Sequence, residues 1–151
     1  MGLDMYLSRT AKCQGVDYGA LYEKEITSMD DIPKELQKYA SPWWEGSNLI
    51  NPFEQYAYWR KFNALHGWFV QNIQDGVDKC QLSRPIEREE FEELLKLLEG
   101  RRLEPVKGFF FGSTEKGKWY EKEVVETIEV VKKILSEVDF DKEILIYHSS
   151  W

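Results

Sequence analysis

This chain has few of the residues that build metal centres and disulfides. It has two cysteines and two histidines in 151 residues. Cys13 and Cys80 stand far apart, and neither belongs to a C-x-x-C pair. Two cysteines do not complete a four-ligand zinc site without help, and only His66 and His148 are available. Reduced thiols in a cytosolic protein are therefore expected, with no metal and no cofactor. No apolar run reaches the roughly 18 residues of a membrane helix, so no membrane partner is expected. No basic-then-apolar leader suggests export. The hydrolase signatures G-x-S-x-G and H-E-x-x-H are missing, as are internal repeats and low-complexity stretches.

Basic charge is also scarce. There are 20 Lys and Arg against 27 Asp and Glu, a net charge of -7. Residues 1–86 hold 11 acids and 9 bases (net -2), and residues 87–151 hold 16 acids and 11 bases (net -5). A nucleic-acid backbone is bound by a basic patch, so direct nucleic-acid binding is not expected. The acidity suits docking onto a basic surface, including one that normally holds nucleic acid. It also has the simpler reading that acidic helices stay soluble.

Aromatic residues are plentiful: six Trp, eight Tyr and eight Phe. A chain of 151 residues can bury about 70% of the surface its unfolded form exposes, so many of these rings belong inside one core. "GLDMYLSR" alternates Leu3, Met5 and Leu7 with polar neighbours and predicts a strand. "DDIPKELQKYA" predicts a short helix with Asp30 or Asp31 capping and Pro33 in the first turn. "SPWWEGSNLINP" reads as a loop, and it carries Trp43 and Trp44. Residues 53–74 predict the longest helical stretch. Residues 88–99 predict an amphipathic helix ended by Gly100. "VKGFFFG" predicts a short buried strand. Residues 119–138 predict a helix with Tyr120, Val124, Ile128, Val131, Leu135 and Val138 on one face and a Glu129–Lys133 pair on the other. "EILIYHSSW" predicts a final strand. The fold class expected is α+β: a single domain over residues 1–151, with a sheet of three to four strands and about four helices.

One stretch imitates a phosphate loop. Gly112, four residues, then Gly117-Lys118 give G-x-x-x-x-G-K, but Trp119 stands where a working loop has the Ser or Thr that ligates magnesium. No downstream strand ends in the Asp that would complete the metal site. The glycines have an ordinary use, ending a strand and turning into a helix. A non-catalytic anion contact at that helix start is the stronger functional reading.

The aromatic stretch "FEQYAYWRKFNALHGWFVQNIQDGVDKC" is the most informative. Placed on a helix, Trp59, Asn63, His66 and Val70 make one continuous stripe. A histidine and an amide on an apolar stripe need partners once buried. His66 is then either a satisfied core group or one polar group of an aromatic-lined pocket, with Asn63 as the other. Arg60 sits at the margin of the stripe, where it would reach an anion. Gly76 stops the helix. Asp75 and Asp78 fall short of a calcium loop. His148 and Ser149 are neighbours on a strand and so point to opposite faces, which spoils them as a base and nucleophile pair. Asp4 and Tyr6 share a strand face.

Four blocks occur together: "MGLDMYL", "YWRKFNALHGWFVQNIQDGVDKC", "GFFFGST" followed by "WY", and "SSW". Their order and spacing resemble a family of small proteins encoded by bacteriophages and prophage-bearing bacteria. The resemblance covers most of the chain, with residues 10–50 contributing little. It implies a phage or mobile-element origin and brings no catalytic residues. The expected function is that of a phage accessory protein of the host cytosol. It would bind a host protein or a small anionic signalling ligand without catalysis, as a counter-defence inhibitor would. Its candidate binding residues are Trp59, Arg60, Asn63, His66, Ser113 and Thr114. One alternative is an enzyme on a nucleotide or other small anion, with His66 as acid or base, Asn63 and Arg60 orienting the substrate, and Ser113 and Thr114 touching it. Another is a structural or assembly protein.

Overall fold

The computed structural model describes residues 2–108 and 111–151. Its elements in chain order are β1 (Asp4–Ala11), α1 (Tyr18–Glu23), 3-10 turns at Met29–Asp31 and Lys34–Tyr39, and β2 (Ser41–Pro42). Then come β3 (Ile50–Asn51), β4 (Glu54–Arg60), α2 (Asn63–Ile73), α3 (Arg88–Glu99), α4 (Lys118–Glu137) and β5 (Glu143–Ser150). The fold is α+β. The main sheet is antiparallel with strand order β4-β1-β5, and β2 and β3 form a separate two-stranded hairpin.

The alternation of β1 sorts its side chains between two cores. Met5 and Leu7 are fully buried beneath α2, α3 and α4, together with Leu145 and Tyr147 of β5. The opposite face of β5 carries Ile144 and Ile146, which pack with Ile26, Ile32, Leu36 and Phe53 from the segment between β1 and β4. The sheet is thus a middle layer, with helices on one side and an irregular segment on the other. That second cover leaves open the end of the sheet where Asp4 and Tyr6 of β1 pair with Ser150 and His148 of β5.

Helices α3 and α4 are built as their sequences predict. Phe91, Leu94 and Leu98 of α3 and Tyr120, Val124, Ile128 and Val131 of α4 are buried on facing stripes. The Glu87 backbone N–H donates to the Glu90 carboxylate (2.9 Å), satisfying an orphan donor at the start of α3. Along α4 the ion pairs are Lys122–Glu126 and Lys133–Glu137. Lys133 therefore turns to the acid that follows it rather than to Glu129.

Four expectations are corrected. The stretch 53–74 is not one helix: residues 54–60 form β4, and α2 starts at Asn63. The cause is pairing with β1, which takes the backbone of residues 54–60 into the sheet. A register shift lets Leu7 pair with Ala57 and Ser8 with Gln55, leaving Tyr56 as the extra residue of a bulge. The strand then turns into α2 through Lys61, whose φ of 59° is left-handed. Second, "DDIPKELQKYA" forms 3-10 turns with Pro33 between them. Third, the tryptophan loop contains the β2–β3 hairpin. Fourth, Val106–Gly108 lie in no strand; Phe109 and Phe110 of the same expected strand lie outside the described residues.

Candidate functional site

A cleft of about 740 Å³ runs along the outer edge of β4. One wall is strand: Tyr58, Trp59 and Arg60, followed by Lys61. The end wall is the turn that imitates a phosphate loop, with Gly112, Ser113, Gly117 and Lys118. The remaining wall is α4, through Trp119, Glu123, Glu126 and Val130.

Each wall is fixed by identifiable bonds. The Trp59 ring is buried, and its indole N–H donates to the Thr127 hydroxyl of α4 at 2.9 Å. This bond ties the edge strand to the helix. Asn63, at the start of α2, holds the end wall. Its amide N–H₂ donates to the carbonyls of Phe111 (3.0 Å) and Ser113 (2.7 Å), and its amide oxygen accepts the Val106 N–H at 2.9 Å. Gly112 takes a φ of 83°, and a β-carbon there would sit 3.4 Å from the β-carbon of Lys61. Two left-handed residues thus meet at the closed end of the cleft.

Among the described residues β4 pairs with β1 only, so its other side has no sheet partner there. The Lys61 N–H donates to the Leu3 carbonyl at 2.7 Å. With the register Trp59 to Met5 and Tyr58 to Tyr6, this places Trp59 in a hydrogen-bonded pair. The N–H and C=O of Tyr58 therefore point outward, into the cleft side of the strand.

Lys61 and Lys118 lie at the closed end together with Glu115, and Glu123 and Glu126 lie along α4. Burial, and then the neighbouring Glu126, pushes the Glu123 carboxyl above its ordinary value. On the strand side, Asp4 accepts hydrogen bonds from the Tyr58 hydroxyl and from Arg60, the latter at 3.1 Å. Tyr58 and Trp119 are 46% and 42% exposed, so the cleft carries aromatic surface at its mouth.

Of the sequence-derived site residues, Trp59, Arg60 and Ser113 line this cleft. Asn63 lies behind it, clamping its end wall. Thr114 is exposed and is not among the lining residues. His66 is 1% exposed, with both ring nitrogens engaged. Nδ1 meets the Tyr147 hydroxyl at 2.7 Å and Nε2 meets the Asp78 carboxylate at 2.8 Å. Asp78 in turn accepts the Trp151 indole N–H at 3.0 Å. Desolvation, reinforced by the Asp78 charge, raises the Tyr147 phenol well above its ordinary value. The phenol therefore stays protonated, and its stacking on Phe69 (3.9 Å between centroids) fixes it in the core. His66 is a satisfied core histidine that ties α2 to β5 and to the turn holding Asp78. Its stripe partner Trp59 sits on another element, so the four-residue helical stripe does not exist as drawn.

Sequence reading did not place Glu123, Glu126, Lys61 or Lys118 in the site. The signal available was the phosphate-loop outline, which marks the turn that forms the end wall. Among the described residues, no group of three or more His, Cys, Asp or Glu side chains is arranged to hold a metal ion, and no helix is long and apolar enough to cross a membrane. Compared with protein-family models, curated proteins and solved structures, the chain matches none.

Proposed function

We propose that the protein is a phage-encoded accessory protein of the host cytosol that acts by binding a host protein rather than by catalysis. Its docking site is the cleft beside β4. The bound segment is an extended peptide that adds to β4 as a further strand. The observation that carries this reading is the outward peptide group of Tyr58 on an edge strand, facing a helix across a preformed cleft. Strand addition draws its affinity from such main-chain groups and its specificity from the flanking side chains. Those flanks define the peptide: basic side chains opposite Glu123 and Glu126, and a carboxylate toward Lys61 and Lys118. The Ser113 hydroxyl accepts the Glu115 backbone N–H at 3.1 Å, a bond that belongs to the turn of the end wall. The phage setting rests on the sequence blocks "MGLDMYL", "GFFFGST" and "SSW". A second reading keeps the same cleft but fills it with a small anionic signalling molecule. It is favoured by Lys61 and Lys118 beside the Gly112–Gly117 turn.

Selection from a displayed library of random peptides tests the proposal directly. Enriched peptides should carry Lys or Arg, bind the purified protein, and slow hydrogen exchange at the Tyr58 amide. Tyr58→Pro removes that outward donor and spares the backbone ladder to β1, and Tyr58→Phe, which loses only the hydroxyl bond to Asp4, separates the side-chain loss from the loss of the donor. Undiminished peptide binding by Tyr58→Pro, or no enrichment at all, would reject strand addition. Displacement of dye or peptide by inorganic phosphate, lost in Lys118→Ala, would favour the anion reading.

A further inference from the structure

We infer that a second cavity, across the sheet from the helices, is a binding site for an uncharged nucleobase or nucleoside. The cavity measures about 500 Å³. Its floor is the open end of the sheet, with Tyr6, Ser8, Gln55 and His148, and its far wall is Tyr22, Trp43 and Asn51 from the segment between β1 and β4. This is where the tryptophan loop is put to use. The hairpin bond from the Trp43 N–H to the Leu49 carbonyl, 3.1 Å, presents the indole at the rim.

Three properties define the ligand. The first is aromatic surface. Trp43 stands edge-on to Tyr22 (centroids 5.8 Å, planes 73° apart), and His148 lies 4.9 Å from Tyr22 and 6.1 Å from Tyr6, ring to ring. Trp43 remains 40% exposed, so one indole surface is free to cover an incoming ring, as bases are held on aromatic platforms. The second is amide chemistry. Among the described residues, the Gln55 side-chain amide has no hydrogen-bond partner, and it offers the paired donor and acceptor that matches a base edge. The Asn51 amide oxygen accepts the Phe53 N–H at 3.0 Å, which leaves its N–H₂ as a donor. The third is the lack of charge. None of the lining residues is Asp, Glu, Lys or Arg. His148 bonds Tyr22 through Nδ1 (3.2 Å), and burial keeps its imidazole below the ordinary value, so it is neutral near pH 7. Asp4, opposite Ser150 in the register, already holds Arg60 at 3.1 Å, so this ion pair at the rim offers a phosphate no net positive charge. The site therefore favours a base or nucleoside over a nucleotide, and it is separate from the charged cleft beside β4.

The test uses the full chain with adenosine, guanosine, cytidine, uridine, AMP and methyl glucoside as probes. Binding is followed by saturation-transfer NMR and tryptophan fluorescence. At least one nucleoside should bind, and AMP should bind no more tightly than adenosine. Trp43→Ala should weaken binding by about fivefold to a hundredfold, the range of losing one stacked aromatic. Gln55→Ala should weaken it and blur the preference among bases. Both side chains are exposed, and unchanged melts of the variants confirm that the fold is kept. Trp119→Ala, in the other cleft, should leave nucleoside binding unchanged. The inference is overturned if no nucleoside binds, if binding survives Trp43→Ala, if methyl glucoside binds in place of the nucleosides, or if AMP binds more tightly and Trp119→Ala abolishes it.

Discussion

Asn63 and His66 show how one turn of helix serves two purposes. Asn63 spends its whole amide on the 106–113 segment, so Asn63→Leu should free the end wall of the cleft. The orphaned carbonyls and N–H should cost roughly 1–3 kcal/mol. Peptide binding should weaken together with stability, which a melt and a titration on the same sample would show. His66→Ala leaves the Tyr147 hydroxyl and Asp78 without their shared partner, and the cost should again be roughly 1–3 kcal/mol. A melt unchanged by this substitution would contradict the buried network. Trp119 supplies a simpler prediction. Its indole cannot ligate magnesium, so protein given magnesium with ATP or GTP should show no turnover above buffer. Turnover that vanishes in Lys118→Ala would contradict this account of the turn.

At the scale of elements, glycine decides how closely the cleft wall approaches α2. A β-carbon on Gly67 would come within 2.4 Å of a Val106 methyl, on the residue whose N–H Asn63 accepts. Gly67→Ala should push Val106 off the helix, and hydrogen exchange at the Val106 amide, which donates to Asn63, should rise. If the melt and exchange both match the parent protein, the packing described is wrong. At Gly112 the obstacle is backbone rather than space. A left-handed φ costs an L-residue about 1–2 kcal/mol, so Gly112→Ala should destabilise by about that amount. The Lys61 elbow already bears the same conformation without glycine. Of the two left-handed positions at the closed end of the cleft, only Lys61 is strained, since glycine takes a positive φ without a steric penalty.

For the whole molecule, pH sets stability through a few groups with clear signs. Burial holds His148 below its ordinary value of 6.5. The unfolded chain therefore takes up this proton before the folded chain does. Stability is full above 6.5 and falls as pH drops through that value toward the lower folded pKa. Tyr22 and Tyr6 face the ring and stay neutral throughout, Tyr22 because burial pushes it up to about 12. Melts taken from about pH 7.5 down to about 5.5 should show this loss, and His148→Phe should remove most of it. A variant with an unchanged slope would assign the loss elsewhere. Glu90 and Glu121, held down by Arg84 and Arg101, act only as pH falls through 4.5. Glu123, with its raised value, acts in the opposite sense, its protonation favouring the folded chain.

Local periodicity by itself determined the α+β class, β1, β5, α3 and α4. In these elements each residue's burial follows from its neighbours along the chain, as with Met5 and Leu7 or Phe91, Leu94 and Leu98. The opposite faces of His148 and Ser149 follow in the same way, and the turn at Gly112–Lys118 could be located from its glycines. Tertiary structure alone decided β4. Pairing with β1 makes residues 54–60 a strand, whereas along the chain their aromatic residues run on into the apolar face of α2 and read as helix. It also decided that His66 lies in the core, since Tyr147 and Asp78 are 81 and 12 residues away from it in sequence. Both cavities are likewise tertiary. Their walls come from segments far apart in sequence, and the polarity of each is a sum over side chains that only the packed sheet brings together.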